Sequence, residues 1–234
     1  LYYQLPGKSL EICCMHLDNG QMWIGTTTNG AYRLQLDKNE LTHPILKGNI
    51  TSIYQDSEGE LWIGSWEEGL HHVKTDGTIE IFEYDAKNPY SISSNFVRAC
   101  CEDNLGNIWI GTFNGLNRYD KSTGLFQNHT ASDAQSDGLT HSSIWCIVKD
   151  NQGTLWLGTY FGGVNYFNPE YEIYSRYMYS PIEKKGLSNP VVGRTIEDKD
   201  GNLWIGTEGG GLNYYNRRTR EFKWFRPEIG PNSI

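Results

Sequence analysis

The chain has 234 residues, 38% of them hydrophobic, and 28 Asp and Glu against 20 Lys and Arg give a formal charge of −8. That is ample for a sizeable core, but it offers no clustered Lys and Arg for a phosphate backbone, so no nucleic-acid partner is expected. No stretch approaches the roughly 18 consecutive apolar residues of a membrane-spanning helix, so no direct membrane insertion of this segment is expected either. No signal peptide is visible, and Leu1 is not an initiator methionine, as in a piece of a longer protein.

Trp23, Trp62, Trp109, Trp156 and Trp204 recur at spacings of 39, 47, 47 and 48 residues. Each sits in a variant of one phrase. In chain order these are "DNGQMWIGTTTNGAYRL" from Asp18, "DSEGELWIGSWEEGLHHV" from Asp56, "DNLGNIWIGTFNGLNRYD" from Asp103, "DNQGTLWLGTYFGGVNYFN" from Asp150 and "DKDGNLWIGTEGGGLNYYN" from Asp198. A period of about 40 to 50 residues with Trp and Gly at fixed offsets predicts propeller blades. The fold class is therefore all-β, a β-propeller segment of about five four-stranded blades forming one domain over 1–234. The repeats fall at approximately 10–47, 48–93, 94–140, 141–188 and 189–227.

The third repeat shows the four strand signals, a to d from the inner to the outer edge of the blade, as "FVRACCE" (96–102), "NIWIGT" (107–112), "GLNRYD" (115–120) and "GLFQNH" (124–129). Asp56–Gly59, Asp103–Gly106, Asp150–Gly153 and Asp198–Gly201 join a to b, and Asp first with Gly fourth predicts a type I turn closed by a left-handed residue. In the first repeat Leu17 takes the Asp position, and Asp18 is expected to substitute one residue on. The "LWIG" strand barely alternates, as expected for a sheet buried on both faces. Its Trp is expected between blades, and the Gly two residues on (Gly25, Gly64, Gly111, Gly158, Gly206) is expected to admit a neighbouring backbone or large ring.

The five cysteines, Cys13, Cys14, Cys100, Cys101 and Cys146, all fall on strand a, with an odd count and no zinc-site spacing. They read as small core residues in preference to redox or metal groups. Asp198-x-Asp200-Gly201 lacks the downstream acidic ligand of a calcium loop. No metal or cofactor is expected.

Function is expected where the repeats differ. The d–a links vary, from "LKGN" (46–49) to "DAKNPYSISSN" (85–95), "ASDAQSDGLTHSS" (131–143) and "SPIEKKGLSNP" (180–190). On the same face of the disc, the fourth residue after each repeat Trp is Thr27, Trp66, Phe113, Tyr160 or Glu208, with Phe113 open to displacement by one because its loop is shorter. Trp66, Phe113 and Tyr160, with Glu67, Asn114 and Phe161 beside them and Glu208 in the last loop, form a candidate ligand-binding platform. Arg98 and Trp145, at the start of strand a, complete it. Exposed rings flanked by carboxylates and amides suit an oligosaccharide, whose C–H faces stack while its hydroxyls take directional hydrogen bonds. The competing reading is that the rings fill the channel or cover blade seams. Glu67 or Glu68 with Glu208 is the one pair of carboxylates that a glycosidase- or lyase-like site could use.

"IEDKDGNLWIGTEGGGLNYYN" (196–216) and its counterparts, with "NPYSIS" (88–93) and "GPNSI" (230–234), resemble two-component regulator propeller repeats over essentially the whole chain. The resemblance implies a fragment of a seven-bladed propeller, with "LYYQLPG" (1–7) as a leftover strand d and "GPNSI" as the approach to another strand a. It further implies a non-enzymatic sensor or interaction module in the periplasmic part of a hybrid two-component signalling protein of Bacteroidetes responding to glycans. The full-length protein is expected to dimerise. A carbohydrate-active propeller enzyme and a purely structural, dimerising or force-transmitting propeller are the alternatives.

Overall fold

The computed structural model describes residues 11–42, 45–131, 138–170 and 173–226. The terminal segments 1–7 and 230–234 and the middle of the 131–143 link lie outside them. Among the described residues, twenty strands form five four-stranded antiparallel sheets, each a simple meander. Blade 1 holds β1 (Ile12–Asp18), β2 (Gln21–Thr26), β3 (Gly30–Gln35) and β4 (Glu40–Leu41). Blade 2 holds β5 (Ile50–Gln55), β6 (Leu61–Ser65), β7 (Leu70–Val73) and β8 (Ile79–Phe82). Blade 3 holds β9 (Val97–Glu102), β10 (Ile108–Thr112), β11 (Gly115–Asp120) and β12 (Leu125–His129), each within a residue of the strand expected from sequence. Blade 4 holds β13 (Ile144–Lys149), β14 (Leu155–Thr159), β15 (Val164–Asn168) and β16 (Ile173–Tyr177). Blade 5 holds β17 (Val192–Glu197), β18 (Leu203–Thr207), β19 (Gly211–Asn216) and β20 (Glu221–Phe225). The helical content among the described residues is one 3-10 turn, Glu183–Lys185, and no helix is long and apolar enough to cross a membrane.

Blades pack in chain order, and each seam has its own core. Trp23 meets Ile50, Leu61 and Ile63 of blade 2; Trp62 meets Val97, Ile108 and Ile110 of blade 3. Trp109 meets Ile144, Leu155 and Leu157 of blade 4; Trp156 meets Val192, Leu203 and Ile205 of blade 5. Sheets buried on both faces explain the missing alternation in "LWIG". The glycine two residues after each Trp makes room for the next blade: a Cβ on Gly111 would lie 2.7 Å from Ile144 Cγ2, and one on Gly158 2.5 Å from Val192 Cγ1. The group admitted is a branched side chain, where the sequence pointed to backbone or a ring.

The fifth copy differs. A Cβ on Gly206 would meet only the backbone of Arg194, at 3.6 Å or more, and Trp204 is half-buried because no described residue covers that face. Ile196 is 64% exposed on β17, and Met15 and Leu17 are 62% and 60% exposed on β1. The expected burial of Trp204 between blades therefore does not occur here.

The Asp turns have the expected geometry. Gly59, Gly106, Gly153 and Gly201 take φ of +79° to +82°, and each donates to the carbonyl of its Asp. Blade 1 departs: Asp18 pairs with Gln21 across Asn19-Gly20, both at positive φ, which is a two-residue hairpin. Asp18 bonds its neighbour Asn19, not Trp23, so it does not take over the role of the Asp in the other turns.

A buried Asn anchors each of the three longer d–a links. Asn117 accepts from the Ser93 amide, Asn165 from Thr140 and Asn213 from Ser188. The seam packing predicts that Gly111→Ala destabilises by about 1–3 kcal/mol through overpacking, whereas Gly206→Ala stays within about 0.5 kcal/mol. Urea unfolding of both variants in this chain checks it, and equal costs would contradict the uncovered fifth face.

Candidate functional site at the axial mouth

The first strand of every blade carries an irregularity at the same place. Val97 pairs with Thr112 and Ala99 with Gly111, leaving Arg98 unpaired between them. The same register shift leaves out Cys13, Thr51, Trp145 and Gly193 in the other blades. A β-bulge of this kind re-aims a side chain out of the ladder. Here four of the five, Cys13, Thr51, Arg98 and Trp145, line a cavity of about 310 Å³ together with Trp66 and Arg194. A second cavity of about 380 Å³ continues along the first strands of all five blades, past Cys14, Ser52, Ala99, Ile147 and Thr195.

The b–c loops rise around this mouth. In every blade the residue four after the Trp donates its amide to the carbonyl just before the first strand: Thr27 to Glu11, Trp66 to Asn49, Phe113 to Phe96, Tyr160 to Ser143 and Glu208 to Val191. Phe113 is thus not displaced by its shorter loop. A hydroxyl fixes each loop, as Thr112 Oγ1 donates to the Gly115 carbonyl at 2.9 Å and Ser65, Thr26, Thr159 and Thr207 do likewise.

Bulge and loop residues meet in two aromatic groups. Trp66 and Phe113 both contact Phe96, with ring centroids 5.5 and 6.0 Å apart. Trp145 stacks on Tyr160 at 5.8 Å, and Tyr160 packs edge-on to Phe161 at 4.3 Å. Arg98 joins the groups, its guanidinium carbon 4.2 Å from the centroid of Trp145, 5.3 Å from that of Phe113 and 5.5 Å from that of Trp66. Trp66, Phe113 and Phe161 are 38%, 54% and 55% exposed, whereas Arg98 is only 7% exposed.

Of the residues expected at the site, Trp66, Arg98 and Trp145 line the cavity, and Phe113, Tyr160 and Phe161 adjoin them through ring contacts. Glu67, Asn114 and Glu208 are exposed in the loops and stand outside the cavity lining. Phe96, the hinge of the first aromatic group, has no period or motif to betray it in the sequence. The lining contains no Asp, Glu or His among the described residues. The cysteines divide by depth. Burial pushes the thiols of Cys100 and Cys101 up to about 12 and about 11, as for core residues, while Cys13 reaches the mouth and donates to the Ile50 carbonyl.

Four stretches, 44–67, 91–114, 138–161 and 186–209, match the model of the two component regulator propeller family. Each runs from a d–a link through two strands into the b–c loop. A comparison with curated proteins gives no match. Among solved structures, the extracellular domain of a hybrid two component system from B. thetaiotaomicron superposes with a TM-score of 0.72 at 19% identity, covering 91% of this chain and 29% of that one. An inactive virginiamycin B lyase from Staphylococcus aureus with quinupristin gives 0.70 at 16% identity, covering 98% and 74%. An auxiliary nutrient binding protein from Bacteroides thetaiotaomicron gives 0.64 at 9%, covering 95% and 58%. At these identities the likeness is one of fold.

Exposure of the Phe113 ring predicts that Phe113→Ala costs less than about 1 kcal/mol, against about 3–5 kcal/mol for Phe167→Ala in a seam. Thermal melts of the two variants distinguish an open platform from a core.

Proposed function

We propose, starting from a chain that carries two-component regulator propeller repeats, that this segment is a ligand-input module of a hybrid two-component signalling protein and that it takes oligosaccharide at the axial mouth. The observation that carries the reading is the set of Trp66, Phe113 and Tyr160, held by the same amide bond at the same position of three successive blades, Trp66 lining a cavity of about 310 Å³ and the other two reaching its lining through ring contacts. Such a volume suits one sugar ring with its neighbours on the rim. Ring faces stack on the C–H faces of a pyranose, and Asn114 and Glu67 supply rim hydrogen bonds. The extracytoplasmic, periplasmic side is the location this role requires. The uncovered faces of the first and fifth blades suit further blades of a larger ring.

Turnover is not part of this reading. General acid–base chemistry on a glycosidic bond uses two opposed carboxylates across the substrate, and the cavity lining has none among the described residues. The likeness to a lyase is one of fold and carries no residues of its chemistry to this chain.

A panel of oligosaccharides read for both binding and release of reducing ends tests the proposal. Binding without turnover is expected. Trp66→Ala should weaken the bound sugar about tenfold, equivalent to 1–2 kcal/mol for a lost stacking ring. Turnover, or binding indifferent to Trp66, would count against it.

A further inference from the structure

The mouth of an acidic chain is lined by two arginines that no carboxylate among the described residues neutralises. Arg98 is 7% exposed, yet among the described residues it makes one hydrogen bond, from Nη1 to Ser143 Oγ at 2.9 Å. Its Nε is buried without a partner, and so is Nε1 of the adjoining Trp145. Buried guanidinium groups are ordinarily paired, because the unpaired charge is expensive to desolvate. Arg194 lines the same cavity from blade 5 and makes no ion pair among the described residues. Other cations near the seams are committed: Lys121 to Asp56 and Arg217 to Asp150.

The stacking geometry determines what Arg98 can still accept. Three aromatic rings lie 4.2 to 5.5 Å from the guanidinium carbon, and its N–H groups lie in the guanidinium plane. With one N–H engaged by Ser143 and Nε unpartnered, the planar fork keeps donors for a flat acceptor with two oxygens, which is the shape of a carboxylate. A phosphate cradle of backbone amides at a helix N-terminus is not part of this mouth, since the described residues hold a single 3-10 turn elsewhere.

We infer that the axial mouth selects a carboxylate-bearing sugar, a uronate, with Arg98, backed by Trp145, gripping the carboxylate, Arg194 contributing a second positive charge and Trp66 holding the ring. This deepens the oligosaccharide reading above and rests on it.

The test is calorimetric titration with glucuronate- and galacturonate-containing disaccharides and with the same sugars after reduction of the carboxyl to the alcohol. A set of sulfated neutral disaccharides runs alongside. The uronates should bind, with affinity falling as salt rises, and carboxyl reduction should weaken binding about thirtyfold or more, as for a buried charge left without its partner. Arg98→Lys should lose a comparable factor because an ammonium cannot reproduce the planar fork. Arg194→Gln, at an exposed position outside any seam core, should lose several-fold with an unchanged melting temperature and a shallower salt dependence. Equal affinity for acid and reduced sugars, preference for the sulfated set, or indifference to both arginine variants would overturn the inference while leaving oligosaccharide binding standing. Failure of every sugar to bind would overturn both.

Discussion

The structure depends on a hydrogen bond between an aspartate and a tryptophan six residues later. In blade 2, Asp56 Oδ1 accepts the amides of Glu58 and Glu60 at 3.0 and 2.9 Å, and Oδ2 accepts Trp62 Nε1 at 2.9 Å. Asp103 and Asp150 repeat this with Trp109 and Trp156 at 2.8 and 2.7 Å. One carboxylate thus closes the turn and fixes the direction of the indole, which is then buried against the next blade. An indole N–H in such a seam needs a partner. Burial pushes the Asp56 carboxyl up, but the bonds from Trp62, Lys121 and the Glu60 amide outweigh it and hold its pKa below the ordinary carboxylate value. The remaining capacity of Asp56 and Asp150 is taken by a cation from the following blade, Lys121 or Arg217. Asp103 and Asp198 use the local amides of Asn107 and Asn202 instead. Where the seam is uncovered, at Trp204, the bond is longest, 3.2 Å.

A scaffold fixed this firmly leaves its variation to positions outside the ladder. The bulge residue is unpaired by construction, so its identity is not dictated by cross-strand packing. The five bulges hold Cys13, Thr51, Arg98, Trp145 and Gly193, five different chemistries at one structural position. The neighbouring residues, by contrast, repeat as Ile12, Ile50, Val97, Ile144 and Val192, and the last four meet the glycine of the preceding blade. Architecture and specificity are therefore written at adjacent residues of the same strand.

The periodic part of this was legible in the sequence. Trp spacing, the Asp-to-Gly turns and the aromatic-rich strands located the blades, because each is a local feature repeated in register. The equivalent loop positions of Trp66, Phe113 and Tyr160 were also legible, since counting from the recurring Trp within the chain needs no tertiary information. The bulge was not, because a one-residue register shift leaves no mark on composition. Arg98 and Trp145 could be placed near the mouth but not recognised as equivalent. Asn117, Asn165 and Asn213 resembled ordinary polar strand residues, and only their burial against the incoming links explains them. At Asp18 the Asn-Gly pair carried more information than the Asp, as its two positive φ angles select the shorter hairpin.

The bulge residues also cross the seams. Cys13 donates to the Ile50 carbonyl of blade 2, Thr51 to the Val97 carbonyl of blade 3, and Arg98 to Ser143 at the entrance to blade 4. A group bound in the mouth would therefore touch three side chains that are each bonded to the next blade. A ligand shifts an equilibrium only by its differential affinity for the two states. With rigid four-stranded sheets on either side, the geometry that can differ between states is the relation of one blade to the next. The cavity walls come from β1, β5, β9, β13 and β17, so small changes at several seams add at the axis. The axial mouth is thus the place on this scaffold where side chains of successive blades meet, and in the proposed ligand-input role a bound group would be coupled to blade arrangement most directly there.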